Sequence, residues 1–334
     1  MPDQVHDGAV GIADAAYHLP GAPRDVVDWA REQGAAPEIV AQLRENGCRY
    51  FHEGPDHADA KLIAHAVDQL LARDAGWLPK VSYLLHAHTQ NFSMPAPPSS
   101  ILSELVARYG MRPTLCFSVG HMACAAVINA VAWAERLLRE DPAASHALVV
   151  TSDRVFGDAR HRLRPPGTIQ SDGASAILLS KEGWRCRVGR IDTFAATELH
   201  EGPSSTANKL AIARTTWIHT KQLLQQHSAA TGLDLADYAE ILPVNADRAY
   251  WVQIGRGLKV PTARFFLDNI HRRGHACCAD LAVNLVDRGF ALLDAGKPVL
   301  MCGQSNVGAH AALTLLPATV AAPAVRNEED IACA

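Results

Sequence analysis

Cys124 is the residue whose setting first suggests chemistry. It lies in Val119-Gly-His-Met-Ala-Cys-Ala-Ala, between the apolar run Pro113–Val119 and an Ala-rich stretch to Leu138 that carries no charge before Glu135. The apolar run reads as a strand and the Ala-rich stretch as a helix buried on all sides. That places Cys124 near a helix start. The positive end of the helix dipole there lowers a thiol's pKa and raises its thiolate fraction. Backbone N–H groups at the same point can receive an oxyanion. This is the setting of a covalent nucleophile. A free cysteine is also a small hydrophobe suited to a core, and position alone leaves both readings open.

The other cysteines are scattered. The eight stand at 48, 116, 124, 186, 277, 278, 302 and 333, mostly among apolar residues. No CxxC spacing occurs, and the adjacent pair Cys277-Cys278 does not read as a metal clamp, so reduced thiols and no metal are expected. A chain of 334 residues suits two domains or one duplicated domain. With 48% hydrophobic and 20% charged residues it has the composition of a globular protein. A net charge of −4 gives no support to a nucleic-acid or anionic-membrane partner. No apolar run is long enough to span a bilayer. Met-Pro-Asp-Gln-Val-His-Asp has neither the basic start nor the apolar core of a signal peptide, and a cytoplasmic location is expected.

The elements that must position Cys124 follow from patterning. Strands are expected at Ala9–Tyr17, Lys80–His86, Ala147–Ser152 and Gly173–Ser180, with helices at 26–33, 37–45, 62–72 and 99–109. A second series follows: strands at Cys186–Phe194, Tyr238–Val244, Pro298–Cys302 and Ala309–Leu316, with helices at 206–230, 247–257 and 280–294. The last of these echoes the helix after Cys124. Two similar series of alternating strands and helices predict a layered α/β protein that repeats in order of elements, not in letters. The expected division is 1–182, 183–317 and a frayed tail, 318–334.

Several stretches together resemble the thiolase superfamily, and within it β-ketoacyl synthase III. They are Met122-Ala-Cys-Ala-Ala126, Ala147-Leu-Val-Val-Thr-Ser-Asp153, Gly167-Thr-Ile-Gln-Ser-Asp-Gly-Ala-Ser-Ala-Ile177, Ile241-Leu-Pro243, Asn269-Ile270 with Gly274, and the turn Gly303 to Gly308. The likeness spans nearly the whole chain to about Leu316. It implies two duplicated βαβαβαββ halves in a layered α-β-α-β-α arrangement, a homodimer, and acyl thioesters on acyl carrier protein or coenzyme A as substrates. Cys124 stands where that family keeps its acyl-accepting cysteine.

Two departures carry more information. Where the family holds a histidine after the Ile-Leu-Pro strand end, this chain has Val244; where it holds an asparagine after the glycine, this chain has His275. In condensing members that His and Asn stabilise the oxyanion formed when a malonyl thioester loses carbon dioxide. Valine donates no hydrogen bond, so decarboxylative condensation is not expected. The sequence Gly274-His-Ala-Cys-Cys-Ala-Asp280 instead resembles a subset of synthase III-like acyltransferases from antibiotic pathways that use Cys or Ser with His and Asp. By that resemblance Cys124 is the nucleophile, His275 the base and Asp280 the orienting carboxylate. The backbone N–H groups of Cys124 and Ser305 form the oxyanion hole. The bland counterpart makes His275 a core histidine and Asp280 a helix N-cap. His121, His200, His310 and Phe92 are further candidates for substrate contact.

Coenzyme A-using members hold the nucleotide with a Trp and two Arg. Here Glu45 and Pro166 fill the arginine positions, although Arg44 and Arg164 lie nearby. A weak nucleotide grip is therefore expected, which favours a carrier-protein phosphopantetheine thioester as donor and leaves a coenzyme A thioester open, with Arg160, Arg162 and Arg164 available to an acidic carrier. No permanently bound cofactor is expected. The expected reaction moves an acyl group through acyl-Cys124 to a hydroxyl, amine or carrier thiol of a small-molecule or carrier acceptor. Two other readings stay open: a decarboxylating synthase that primes polyketide assembly, and a non-catalytic partner of an active synthase.

Overall fold

The computed structural model describes residues 8–318 except 56–58, 90–93, 96, 156–158, 165–166, 197–205 and 306. The first half supplies β1 (Gly11–His18), β2 (Val81–Ala87), β3 (Leu115–Val119), β4 (His146–Asp153) and β5 (Gly173–Ser180). The second supplies β6 (Cys186–Ala195), β7 (Glu240–Pro243), β8 (Val299–Gln304) and β9 (Ala309–Pro317). They form one nine-stranded mixed sheet in the order β7-β8-β9-β6-β1-β5-β4-β2-β3. β4 and β5 are buried along their whole length. That suits their near-continuous aliphatic runs, since a strand covered on both faces has no use for alternation.

The duplication is explicit in the pairing. In the first half β1 runs antiparallel to β5, β5 antiparallel to β4, and β4 parallel to β2, which is parallel to β3. In the second β6 runs antiparallel to β9, β9 antiparallel to β8, and β8 parallel to β7. The counterpart of β3 shrinks to a parallel bridge between Ile241 and Phe265. β1 and β6 join the halves through the pairs Gly11–Arg187 and Ile12–Cys186.

Helices fill the layers. α1 (Asp59–Arg73) and α2 (Ile101–Tyr109) cover the outer face of the first half. α1 buries Leu62, Ile63, Ala66, Val67 and Leu70 at helical spacing. α3 (Ala126–Glu140) packs against strands of both halves and so lies between them. α4 (Thr206–Thr231) and α5 (Arg248–Leu258) cover the second half. A second central helix is built from α6 (Asp280–Asn284), a π-turn at Leu285–Gly289 and α7 (Phe290–Asp294). The glycine in that turn is required by contact: a Cβ on Gly289 would lie 2.8 Å from Leu242 Cδ1. The largest apolar cluster includes Cys124, Ile128, Val131, Leu281, Leu285 and Leu293 of the two central helices and extends to Leu224 of α4 and Trp251 of α5.

One expectation is corrected. α3 is not buried all round: Trp133 is 49% exposed in the single chain. The Ala-rich first turns meet strands on every side, whereas the later turns carry Arg136 and Arg139 on an open face. Among the described residues no helix is long and apolar enough to cross a membrane.

Candidate active site

The turn before α3 presents Cys124. Ala123 takes a left-handed backbone (φ 46), uncommon for a residue with a Cβ, and opens the 3-10 turn Ala123–Ala125 that runs into the helix. β8 ends against this turn. A Cβ on Gly303 would lie 3.3 Å from Ala125 Cα and 3.6 Å from Val244 Cγ1. Cys124 is 7% exposed.

His275 reaches Cys124 from the second half. Gly274 precedes it with φ +65, and a Cβ there would lie 2.8 Å from Ser171 Oγ. Backbone bonds pin His275 on both sides: its N–H donates to Ile169 O at 3.0 Å, and its C=O accepts from Ser171 N at 2.9 Å. The ring Nε2 is 3.3 Å from Cys124 Sγ, and Nδ1 is 2.5 Å from Asp280 Oδ2. Asp280 is no N-cap. It is the first residue of α6, and its carboxylate accepts from Ala276 N at 2.7 Å, four residues back. It also accepts from Asn245 N at 2.7 Å and Asn245 Nδ2 at 3.3 Å. Behind it the amides continue. Asn284 Nδ2 donates to Asn245 Oδ1 (3.0 Å) and Pro243 O (2.6 Å), and Asn269 Nδ2 donates to Asn284 Oδ1 (2.8 Å). Asp280, Asn284 and Asn269 are fully buried.

The electrostatics favour a charged pair at the front of this chain. A hydrogen bond from Cys277 is the largest influence on Cys124. With the charge and hydrogen bond of His275 and a bond from Thr89, it holds the thiol well below its ordinary pKa despite burial. Burial pushes His275 down, but Asp280 and the Cys124 thiolate outweigh it, and its pKa rises well above the ordinary value. Burial raises Asp280, opposed by His275. A thiolate facing an imidazolium with a carboxylate behind it is the arrangement of an acyl-transfer triad.

Patterning missed four neighbours. Thr89 Oγ1 lies 3.6 Å from Cys124 Sγ and 3.3 Å from Cys278 Sγ. Cys278 Sγ donates to Ala123 O at 3.2 Å, and its N–H to Asp153 Oδ2 at 3.0 Å. Cys277 has a left-handed backbone (φ 54), and Gln170 Nε2 donates to its Sγ at 3.5 Å. Asn245 holds Asp280. The six-residue likeness of Gly120-His-Met-Ala-Cys-Ala to Gly274-His-Ala-Cys-Cys-Ala was the available signal for the two cysteines.

Other candidates fall elsewhere. His121 is exposed, with a left-handed backbone (φ 61). His310 is buried against α4, with Nδ1 2.8 Å from Thr220 Oγ1 and its ring beside Phe194 and His219. On β9 its side chain lies on the face that α4 covers, where it meets Thr220 and His219. The Ser305 N–H donates to Ala309 O at 2.9 Å, so the turn commits it and it is no free oxyanion donor. Arg162 is not a surface group: it is 6% exposed and paired with Asp172 (2.9 Å) and Glu53 (2.9 Å). Phe92 and His200 lie outside the described residues.

Comparison with known proteins gives a family and a fold. A family model described as FAE1/type III polyketide synthase-like protein matches residues 28–214. No curated protein matches by sequence. Among solved structures the chain is similar to ChlB3, an acyltransferase by its printed name (TM-score 0.79, 20% identity, 92% of this chain and 98% of that one). It is also similar to FabH, a 3-oxoacyl-(acyl carrier protein) synthase III from Pseudomonas aeruginosa PAO1 (TM-score 0.74, 19% identity, 94% and 99%). A third is AbyA1, a tetronic acid condensing enzyme (TM-score 0.76, 19% identity, 92% and 99%). At these identities the likeness is one of fold, and the fold is thiolase-like.

Proposed function

The chain belongs to the FAE1/type III polyketide synthase-like family, and we propose that it is an acyltransferase that works through acyl-Cys124 without decarboxylation. The observation that carries this reading is the buried series Cys124–His275–Asp280, with Sγ to Nε2 at 3.3 Å and Nδ1 to Oδ2 at 2.5 Å. The names of the solved structures it resembles, an acyltransferase and condensing enzymes among them, agree with that class.

In the first half-reaction the Cys124 thiolate attacks the carbonyl carbon of a pantetheine thioester. The oxyanion forms at the start of α3, where the Cys124 N–H and the helix dipole meet it. Collapse expels the pantetheine thiolate, which takes the proton from His275 Nε2. In the second, neutral His275 removes a proton from the acceptor hydroxyl, amine or thiol. The acceptor attacks the acyl thioester, and Cys124 leaves as thiolate beside a restored imidazolium. Asp280 holds Nδ1–H throughout, which fixes the tautomer and keeps Nε2 toward the sulfur. Val244 supports the absence of decarboxylation. It is fully buried beside Gly303 and offers no donor where a condensing enzyme needs one.

The donor is a carrier-protein phosphopantetheine thioester rather than free coenzyme A. The surface groove that holds Arg44, Arg49 and His271 also carries Asp25 and Asp28, and such a mixed lining makes a poor phosphate grip. The active form is a homodimer joined along β3. That strand ends the sheet and exposes Leu115 (44%), and Trp133 on α3 is exposed as well. A thiolate nucleophile suits a reducing, cytoplasmic setting.

The test supplies acyl and malonyl carrier thioesters and follows both acyl transfer and carbon dioxide. Transfer from the acyl donor with no carbon dioxide from the malonyl donor supports the reading. Carbon dioxide release at the rate of product formation makes the protein a priming synthase. Failure of both donors to load the protein makes it a partner subunit.

A further inference from the structure

Cys277 brings a second sulfur to the nucleophile. The ligand atoms of Cys124, His275 and Cys277 all lie within 4.8 Å of one another, and all three residues are buried. A tetrahedral zinc ion, with Zn–S of about 2.3 Å and Zn–N of about 2.0 Å, spaces such atoms about 3.5–3.8 Å apart. The 3.3 Å between Cys124 Sγ and His275 Nε2 needs only a small widening. From this geometry we propose that Cys124, His275 and Cys277 form a binding site for a soft divalent cation of the zinc class, which captures the nucleophile and blocks its acylation.

The chemistry of the donors fits. Two thiolates and one imidazole select zinc and its soft relatives over magnesium or calcium. Asp280 already accepts from His275 Nδ1, which leaves Nε2 for the metal, as carboxylate–histidine–zinc sites require. The left-handed backbone at Cys277 separates the paired cysteines. Cys277 Sγ joins Cys124 and His275, whereas Cys278 Sγ donates to Ala123 O. Charge balances as well. The starting pair is a thiolate and an imidazolium beside a neutral thiol. Capture of a dication releases the Nε2 proton and the Cys277 proton and leaves the centre neutral.

Cadmium reports such a site through its thiolate-to-metal ultraviolet band. The experiment titrates the metal-free, full-length chain with cadmium in the absence of substrate. It therefore does not depend on the acyltransferase reading. We expect one cadmium per chain, a band that requires Cys124, and binding weakened at least about 100-fold in both Cys277→Ala and Cys277→Gly. The glycine variant suits the left-handed backbone and guards against misfolding. Cys278→Ala should bind within about twofold of wild type. Cadmium binding that is unchanged in both Cys277 variants, or weakened equally by Cys278→Ala, overturns the proposal, as does a wild type that binds none. A chain that binds cadmium but never loads an acyl group keeps the metal site and sinks the acyltransferase reading.

Discussion

Cys278 stands in the second half of the chain where Cys124 stands in the first. Each follows a left-handed non-glycine residue, Ala123 (φ 46) or Cys277 (φ 54), in the short turn that opens a central helix. The equivalent positions have diverged around that shared frame. His121 is exposed while its counterpart His275 is buried, and the helix residue Ala126 corresponds to Asp280. On the proposed function, one half keeps the nucleophile and the other supplies base and carboxylate. The buried seam between the halves brings them together.

Asp280→Asn keeps the shape of the carboxyl and removes its charge. It leaves His275 without its counter-ion and free to turn to the wrong tautomer. The rate of acyl transfer should fall by roughly 10²–10⁴-fold, with little change in donor KM. A variant within threefold of wild type, by roughly a 0.7 kcal/mol limit on the barrier, removes Asp280 from the mechanism.

The low pKa of Cys124 and the high pKa of His275 set a pH signature. The thiolate is present above the lowered Cys124 pKa and is lost only as the pH falls through it. Iodoacetamide should therefore alkylate Cys124 at a near-constant rate well below the ordinary thiol value of 9.0. In His275→Gln the charge and one hydrogen bond are gone, and the alkylation profile should move to higher pH, with a rate at pH 7 lower by about tenfold or more. Superimposable profiles in the two proteins would contradict the ion pair.

Asn284→Ala tests the amide series behind the triad. Asn284 touches no reacting atom; it positions Asn245, which positions Asp280. Its loss should lower kcat by about tenfold while KM stays near wild type, and Asn284→Asp should recover little because the Nδ2 that donates both bonds is gone. The variant also strands Pro243 O, so a stability loss of about 1–3 kcal/mol should accompany it.

Two buried histidines outside the site give a stability prediction. Burial lowers His86 from 6.5 to about 3, and His310 from 6.5 to about 4. Their stabilising neutrality is present above the unfolded value and is lost as the pH falls, because the unfolded chain takes up protons that the native chain refuses. Between pH 6.5 and 4 each should erode stability by about 1.4 kcal/mol per pH unit at most. Urea unfolding at pH 7 and pH 5 should show a smaller drop in His86→Gln than in wild type. An equal drop removes His86 from the acid sensitivity.

Much of this architecture was legible in the sequence. Gly173–Ser180 is a strand over its expected span, and 280–294 is the expected helix, now with a π-turn inside it. Long aliphatic runs and capped helices announce themselves because local patterning and burial agree there. The Cys124, His275 and Asp280 set came from resemblance, since nothing in their spacing of about 150 residues tells which turn meets which. The place of Cys277 beside Cys124 was hidden for a related reason. As one of two adjacent cysteines it shows no ligand spacing of its own; His275 is two residues before it, and Cys124 lies across the seam. Ser305 failed on a local detail, the return bond from its N–H to Ala309 O, which depends on the path of one tight turn.

The most direct test of the account is the intact mass of the protein after exposure to acyl-carrier donors, for wild type, Cys124→Ala and His275→Gln. The account predicts one acyl adduct on wild type, none on Cys124→Ala, and slow loading of His275→Gln. An adduct that persists in Cys124→Ala, or a wild type that no donor loads, would contradict it.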